Sequence, residues 1–575
     1  MKKQNFFSIQ SRQTSRFLFL SIAVCFAVSA VTAQLNPYSY IITKKKECNK
    51  GAVVSAHPLA SQVGLEILQK GGNAFDAAIA TQLVLAVVYP GAGNLGGGGF
   101  MVAHLKTGEN ISLDYREKAP AKAFKDMYLD AAGNAITNLS QDGQLAAGVP
   151  GTVAGLFAAM KYAKLSFSKL IQPAIDLAER GFAITATQAA ELNQYRADFL
   201  KRNSAPTAFV KKEPWQIGEF LLQKELANTL RRIRDKGMKG FYEGKTAEMI
   251  VAEMNKGKGI ISLDDLKNYA AIERKAIEFD YHGYHVVSIP LPSSGGIILQ
   301  QMMKMIEQRN IAAMKFQTAA SVQLMIEVER RAFADRAEFL GDPDFVKVPT
   351  DILVNPGYLQ QRMRDYKPGI AGNSRSVNAG KITEKEETTH LSVIDAYGNA
   401  VSVTTTLNDS YGSRTVIEGA GFILNNEMDD FSVKPGVPNM YGALGNDKNA
   451  IAPGKRMLSS MCPTIVLKDG QPFIVTGTPG GTTIPTSVFQ TLVNIIDFGM
   501  DADSAVNQPK FHHQHAPDSV FIEKPFPATV TKQLEGMGYK IKTRETIGRM
   551  SMILVRNKKI TAVGDNRGDN DAEGY

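Results

Sequence analysis

The sequence predicts a layered α/β protein, and three observations lead there. Residues 150–345 are mainly of helical pattern, as in PGTVAGLFAAMKYAKL, LANTLRRIRDKGMKGFYEG and SVQLMIEVERRAFADRAEFL. Beyond residue 388 short strand-like segments take over: LSVIDA, NAVSVTTT, GFILNN, TIVLKDG, PFIVTGT, SMILVRN and KITAVGD. Strands and helices alternate in both parts, which is the pattern of sheets covered by helices. A chain of 575 residues is long enough for one large body of this kind.

The first segment is not structural. Lys2, Lys3, Arg12 and Arg16 form a basic start, FLFLSIAVCFAV (17–28) an apolar run, and Val31-Thr32-Ala33 a small-residue cleavage pattern. This predicts a secretory signal over residues 1–33 and a mature start at Gln34. The run is too short to span comfortably, so an exported chain, periplasmic or secreted, is expected rather than an anchored one. Its removal takes four basic residues and no acidic ones, lowering the formal charge from +9 to +5. No Lys/Arg block is interleaved with aromatics, so nucleic acid is not an expected partner. Three cysteines cannot make a disulfide framework; Cys25 leaves with the signal, and Cys48 and Cys462 are expected to be separate thiols.

GAVVSAHPLASQVGLEILQKGG (51–72) reads strand, turn, helix, stop, with Pro58 at the first helical position and Gly71-Gly72 at the end. Asn73 caps a second helix, AFDAAIATQLVLAVV, which stops before Pro90. That helix is apolar nearly all round and should be deeply buried. In GAGNLGGGGF (91–100), Gly91, Gly93 and Gly96 satisfy G-x-G-x-x-G, and Asp114 follows about twenty residues on. A dinucleotide site needs a strand before and a helix after. Here a helix precedes, and the hairpin FMVAHL-KTGE-NISLDYRE follows, so the glycines are read as close backbone approaches at a strand start. HVVSIPL is a strand inside the helical half, and Trp215 a packing residue. Residues 366–387 are polar and glycine-rich, an exposed joint. The polar tail GDNRGDNDAEGY is expected to end at the surface. FHHQHAPD (511–518) clusters His512, His513 and His515, but without a fourth ligand or helical spacing it predicts no metal site. No cofactor is implied.

The chemistry is concentrated in EETTHLSVIDAYGNAVSVTTT (386–406). A threonine hydroxyl is a poor nucleophile without a base. An N-terminal threonine carries its own base, because an α-amine has a pKa of about 7.7–8.0 against about 10.4 for lysine. If the Glu387–Thr388 bond is cut, Thr388 becomes such a residue: the polar joint gives slack, and LSVIDA gives a rigid mount. Downstream, LNNEMDDFSVKPGVPNMYG (424–442) sets acids beside a Gly/Pro-rich loop, and KRMLSSMCPTIV (455–466) sets two serines before a strand. TGTPGGTT (476–483) places Gly480-Gly481 between a strand and a helix, where free amides suit an oxyanion.

Together these segments resemble the γ-glutamyltranspeptidases of the N-terminal-nucleophile hydrolase superfamily. The resemblance covers nearly all of the mature chain and rests on SAHPLAS (55–61), GGNAFDAA (71–78), GGGGFM (96–101), LDYREKAP (113–120), GVPG (148–151), PLPSSGG (290–296), TTHLSVID (388–395), LNNEMDDFS (424–432), PGVPNMYG (435–442), LSSMCPTIV (458–466) and GTPGG (477–481). It implies a four-layer αββα sandwich and a precursor that cuts itself between Glu387 and Thr388. The products would be a large subunit, 34–387, and a small one, 388–575, held as one intertwined heterodimer.

By resemblance, Thr388 is nucleophile and base, Thr406 supports it, and the Gly480 and Gly481 amides form the oxyanion hole. Arg116, Ser459 and Ser460 match the set that holds the donor's α-carboxylate. Asn408, Glu427 and Asp430 match the set for its α-ammonium. Some bacterial relatives carry Gln in place of Glu427. Tyr441 matches the tip of a lid loop, and Asp429 is expected to hold that loop. The implied substrates are glutathione and other γ-glutamyl compounds, with water, amino acids or dipeptides as acceptors. Arg567 has no assigned role. Two alternatives stand beside this reading: a related amidase, such as a cephalosporin or glutaryl acylase or a polyglutamate-degrading enzyme, and a non-catalytic periplasmic binding protein on the same fold.

Overall fold

Two seven-stranded sheets stacked face to face organise the protein. The computed structural model describes residues 35–374 and 388–575; the expected signal, most of the polar joint and Glu387 lie outside the described residues. Pro37–Tyr575 form one unit.

The sheet strands, in chain order, are β1 (Lys45–Cys48), β2 (Ala52–Ser55), β3 (Gly98–His104), β4 (Asn110–Tyr115), β5 (Ile272–Arg274), β6 (Ile277–Tyr281) and β7 (Tyr284–Ser288). They continue with β8 (Thr388–Ile394), β9 (Ala400–Thr406), β10 (Thr464–Lys468), β11 (Gln471–Gly477), β12 (Ser551–Arg556), β13 (Lys559–Gly564) and β14 (Asp571–Gly574). One sheet runs β1-β13-β12-β11-β10-β7-β6, and the other β14-β2-β8-β9-β3-β4-β5. Every neighbouring pair is antiparallel. The strands of both halves are therefore shared between the sheets.

Helices α1 (Pro58–Gln69) and α2 (Ala74–Val88) cover the second sheet. Helices α3 (Gly295–Glu307) and α5 (Thr483–Ile496) cover the first, and α4 (Ala319–Phe339) packs on α3. This is the expected four-layer αββα sandwich. Pro58 opens α1, where its missing N–H costs nothing. Asn73 caps α2 in a capping box with Asp76. Every residue of α2 is buried, as its all-round apolar character requires.

The glycine run does what the hairpin reading predicts. A Cβ on Gly97 would lie 2.0 Å from the Thr406 carbonyl oxygen, and one on Gly98 2.5 Å from that of Tyr115. A helix precedes the run and β3 follows it, so the dinucleotide geometry is absent there. Trp215 is buried and donates from its indole to the Phe209 carbonyl at 2.9 Å. Cys48 and Cys462 are buried free thiols. No helix among the described residues is long and apolar enough to cross a membrane.

Two expectations fail. GFILNN (421–426) is not a strand: Ile423 and Leu424 make only isolated bridges, to Val416 and Gly96. Asn425 there donates from its side chain to the carbonyls of Gly96 and Gly148, at 2.7 and 2.9 Å. Side-chain amides thus take over work that a ladder would do. The polar tail does not end free at the surface. Its residues 571–574 form β14, paired with β2 from Asp571↔Ser55 to Gly574↔Ala52. Asp571 is buried, and its carboxylate accepts the Thr43 N–H at 2.6 Å, so polarity marked a backbone anchor instead of solvent exposure.

Candidate active site

β8 and β9 pair in the middle of the second sheet with Thr388 directly opposite Thr406. Their hydroxyl oxygens lie 3.5 Å apart. The Asn408 N–H donates to Thr406 Oγ1 at 2.7 Å. With that oxygen already accepting, the Thr406 proton is available to Thr388. Thr388 is 5% exposed and opens into a cleft that Thr406 also lines.

His390, two residues along the strand, does not serve Thr388. Its ring nitrogens face Thr404 Oγ1 at 2.8 Å and Ser392 Oγ at 3.1 Å. Burial between the sheets pushes its pKa down to about 3, so it stays neutral.

The cleft gathers side chains from widely separated segments. Arg116 follows β4 directly, and Ser459 and Ser460 precede β10. Asn408, Glu427 and Asp430 come from the crossing segment after β9, and Tyr441 from the loop beyond it. Gly481 lines the cleft just before α5, and Gly480 is its chain neighbour. Gly480 has φ +133°, open to glycine alone without strain. Among the described residues neither glycine N–H has a hydrogen-bond partner. All the predicted site residues except Glu387 therefore converge within or beside one cleft.

Arg116 is 1% exposed and is surrounded by carboxylates. It donates to Asp430 and lies 2.5 Å from Glu427 and 3.5 Å from Glu117. Burial pulls its pKa down, but Glu427, Asp430 and Glu117 outweigh that and raise it. The Glu427 contact is close but not aligned as a hydrogen bond: both of its oxygens lack a hydrogen-bond partner among the described residues. Burial raises Glu427 well above the carboxylate range, with Arg116 opposing. Burial likewise raises Asp430, and it pushes Glu117 up to about 7. Glu427 Oε1, which has neither a hydrogen bond nor an ion pair among the described residues, suits a cationic ligand.

The loop beyond is tied down closely. Asn439 donates to Asp430 at 3.0 Å. Asp429 accepts from Ser140 and, at 2.8 Å, from the Met440 N–H, which fits a loop-holding role. The Tyr441 hydroxyl donates to the Asn408 carbonyl at 2.5 Å. Gln514 donates to the Tyr441 carbonyl at 3.1 Å and accepts from Thr482 at 2.6 Å. His512 is hydrogen-bonded to Thr486 and Gln514, and His513 to Asp518. Arg567 pairs with Glu523 and Asp565. Sequence reasoning missed Arg336, Asn439 and Gln514. Arg336 lies in a charged helical run with nothing to set it apart, whereas Gln514 sat in the histidine cluster that was weighed only for metal.

Stacked sheets between helices, with a strand-end threonine opening into an acid-and-arginine cleft, define an N-terminal-nucleophile hydrolase. A family model described as Gamma-glutamyltranspeptidase matches residues 60–575. The chain is 44% identical over 540 residues to the glutathione hydrolase proenzyme of Escherichia coli (strain K12), covering 92% of this chain and 93% of that one. This chain belongs to the γ-glutamyltranspeptidase family. Among solved structures it resembles a cephalosporin acylase from Bacillus halodurans, with TM-score 0.80, 26% identity and coverage of 94% and 99%. It also resembles a Helicobacter pylori γ-glutamyltranspeptidase chain, with TM-score 0.55 and 46% identity over 56% of this chain and 94% of that one.

Proposed function

We propose that this chain is an exported, self-processing γ-glutamyltransferase and glutathione hydrolase. One observation carries the reading: Thr388 faces Thr406 at the cleft, with Arg116 and the carboxylates of Glu117, Glu427 and Asp430 nearby and its neighbouring histidine engaged elsewhere.

In processing, Thr388 Oγ adds to the Glu387 carbonyl carbon. The peptide C–N bond breaks, leaving an ester and a free Thr388 amine. Water opens the ester to give the Glu387 carboxylate. The chains 34–387 and 388–575 stay together, because β2 and β3 from the first flank β8 and β9 from the second.

In turnover, the Thr388 amine takes the hydroxyl proton as Oγ attacks the γ-carbonyl of the donor. The Gly480 and Gly481 amides receive the oxyanion, a contribution of about 10²–10³ in rate per donor in such sites. The proton passes to the departing amine, leaving a γ-glutamyl ester on Thr388. Water, an amino acid or a dipeptide then takes the acyl group. Arg116, Ser459 and Ser460 hold the donor α-carboxylate, and Glu427, Asp430 and Asn408 hold its ammonium. Tyr441 covers the acyl site.

A denaturing gel tests this directly. The purified protein should give two bands that sum to the signal-free chain. Thr388→Ala should give one uncut band and no turnover of a γ-glutamyl anilide. An Ala variant still cut between residues 387 and 388 refutes the assignment. The likeness to the cephalosporin acylase motivates a second reading, an amidase for other acyl groups. It predicts that glutaryl donors, which lack the ammonium, outrun γ-glutamyl ones.

A further inference from the structure

Arg116 alone is a poor magnet for a carboxylate, because Glu427, Asp430 and Glu117 crowd its guanidinium. A second cation lines the same cleft. Arg336, on α4, is 7% exposed, and among the described residues no carboxylate lies within ion-pair distance of it. Burial pulls its pKa down to about 10, with Asp430 opposing, so it remains charged at neutral pH.

Its contacts go to serines. Nη2 donates to Ser460 Oγ at 3.2 Å, and Nε donates to Ser294 Oγ at 3.1 Å. Ser294 Oγ in turn donates to the Ser459 carbonyl at 2.7 Å. Ser459 Oγ accepts the Met461 N–H at 3.1 Å. A serine hydroxyl has one proton. With the oxygens of Ser459 and Ser460 each accepting from the protein, both protons are left for a ligand in the cleft. A pair of donors backed by a buried cation fits an anionic carboxylate.

We propose that Arg336 is the positioning residue for the donor's α-carboxylate: it orients the Ser460 proton into the cleft, fixes Ser459 through Ser294, and supplies the positive charge that Arg116 has already shared out. This deepens the γ-glutamyl reading and rests on it.

The test compares two donors in the processed enzyme: γ-glutamyl anilide and 4-aminobutyryl anilide, which keeps the ammonium and lacks the α-carboxylate. Arg336→Met should raise KM for the first by roughly ten- to a hundred-fold, the range for lost charge-assisted hydrogen bonds. Its kcat/KM for the second should stay within about twofold of the parent's. Arg336→Lys should recover part of the loss. Ser294→Ala, which leaves the charge in place, should show a smaller loss with the same donor selectivity and covers the case in which the Met variant does not process. Equal losses with both donors would make Arg336 a structural residue only, and unchanged KM would remove it from recognition; either overturns the proposal. A parent enzyme that fails to turn over γ-glutamyl anilide would instead sink the underlying reading, and the proposal with it.

Discussion

Replacing Thr406 by valine removes one hydroxyl and keeps the side-chain shape. Two hydrogen bonds are at stake, and they predict different observables. The first is the 2.7 Å bond from the Asn408 N–H. Asn408 is 3% exposed, so in the variant a buried donor loses its acceptor. That costs about 1–3 kcal/mol of stability. The second is the 3.5 Å contact with Thr388 Oγ1. It is long in the resting structure and tightens as Thr388 Oγ gains negative character during attack. A hydrogen bond to a charged partner is worth about 1.5–3 kcal/mol, which is roughly 10- to 150-fold in rate. In the proposed mechanism the same Oγ acts in self-cleavage and in turnover, so both should slow. Stability comes from urea unfolding, self-cleavage from band ratios over time, and acylation from the burst of anilide release. Thr406→Ser keeps the hydroxyl and should recover most of the rate. Acylation by Thr406→Val within twofold of the parent would refute the argument, as would an equal loss in Thr406→Ser.

Glu427→Gln keeps the shape of a side chain that lies 2.5 Å from Arg116, but removes the carboxylate that the ammonium of the donor would meet. KM for γ-glutamyl donors should rise about 3- to 10-fold with kcat nearly unchanged, because ammonium binding is a uniform contact; a kcat effect without a KM effect would contradict this. Asp571 is pushed up to about 7, chiefly by burial, with the Thr43 N–H opposing. A carboxyl raised in the folded state stabilises the fold while protonated, and that contribution is lost as pH climbs from about 4 through 7. Asp571→Asn should therefore raise the urea midpoint at pH 8 more than at pH 4.5, and an equal shift at both would assign the effect to packing.

Much of the fold was legible where one segment carries its own record. The Pro58 start, the Asn73–Asp76 cap and the all-apolar α2 are local signals, and each reports a buried face or a satisfied helix end. The glycine run was legible because hairpin periodicity follows it. GFILNN failed because apolar residues that cross the end of a sheet look the same as residues that run along it. The tail failed because Asp571 is buried against Thr43, a partner 528 residues away. Arg336 was illegible for the same reason. Its partners Ser294 and Ser460 lie 42 and 124 residues away, and one sequence carries no trace of that meeting. The proposed nucleophile, Thr388, was readable only because family motifs surround it; alone, a threonine pair before a hairpin is ordinary strand sequence.

The chemistry depends on strand register more than on any single contact. Thr388 meets Thr406 only while β8 and β9 pair from Ile394↔Ala400 outward. A slip by one residue would turn the Thr388 hydroxyl to the opposite face of the sheet, away from the cleft. Two devices, one at each end of the pair, hold the register. At the far end, Asp395 accepts the N–H groups of Tyr397 and Asn399 at 2.8 and 3.0 Å, closing the hairpin turn. Its second oxygen accepts the Ala74 N–H at 2.9 Å, which ties that turn to the start of α2. At the near end, β3 runs beside β9 with Gly98 opposite Thr406, and Gly97 lets the Thr406 carbonyl approach where any Cβ would collide. The apolar helix, its cap and the glycine run thus serve to place Thr388, the proposed nucleophile, opposite Thr406.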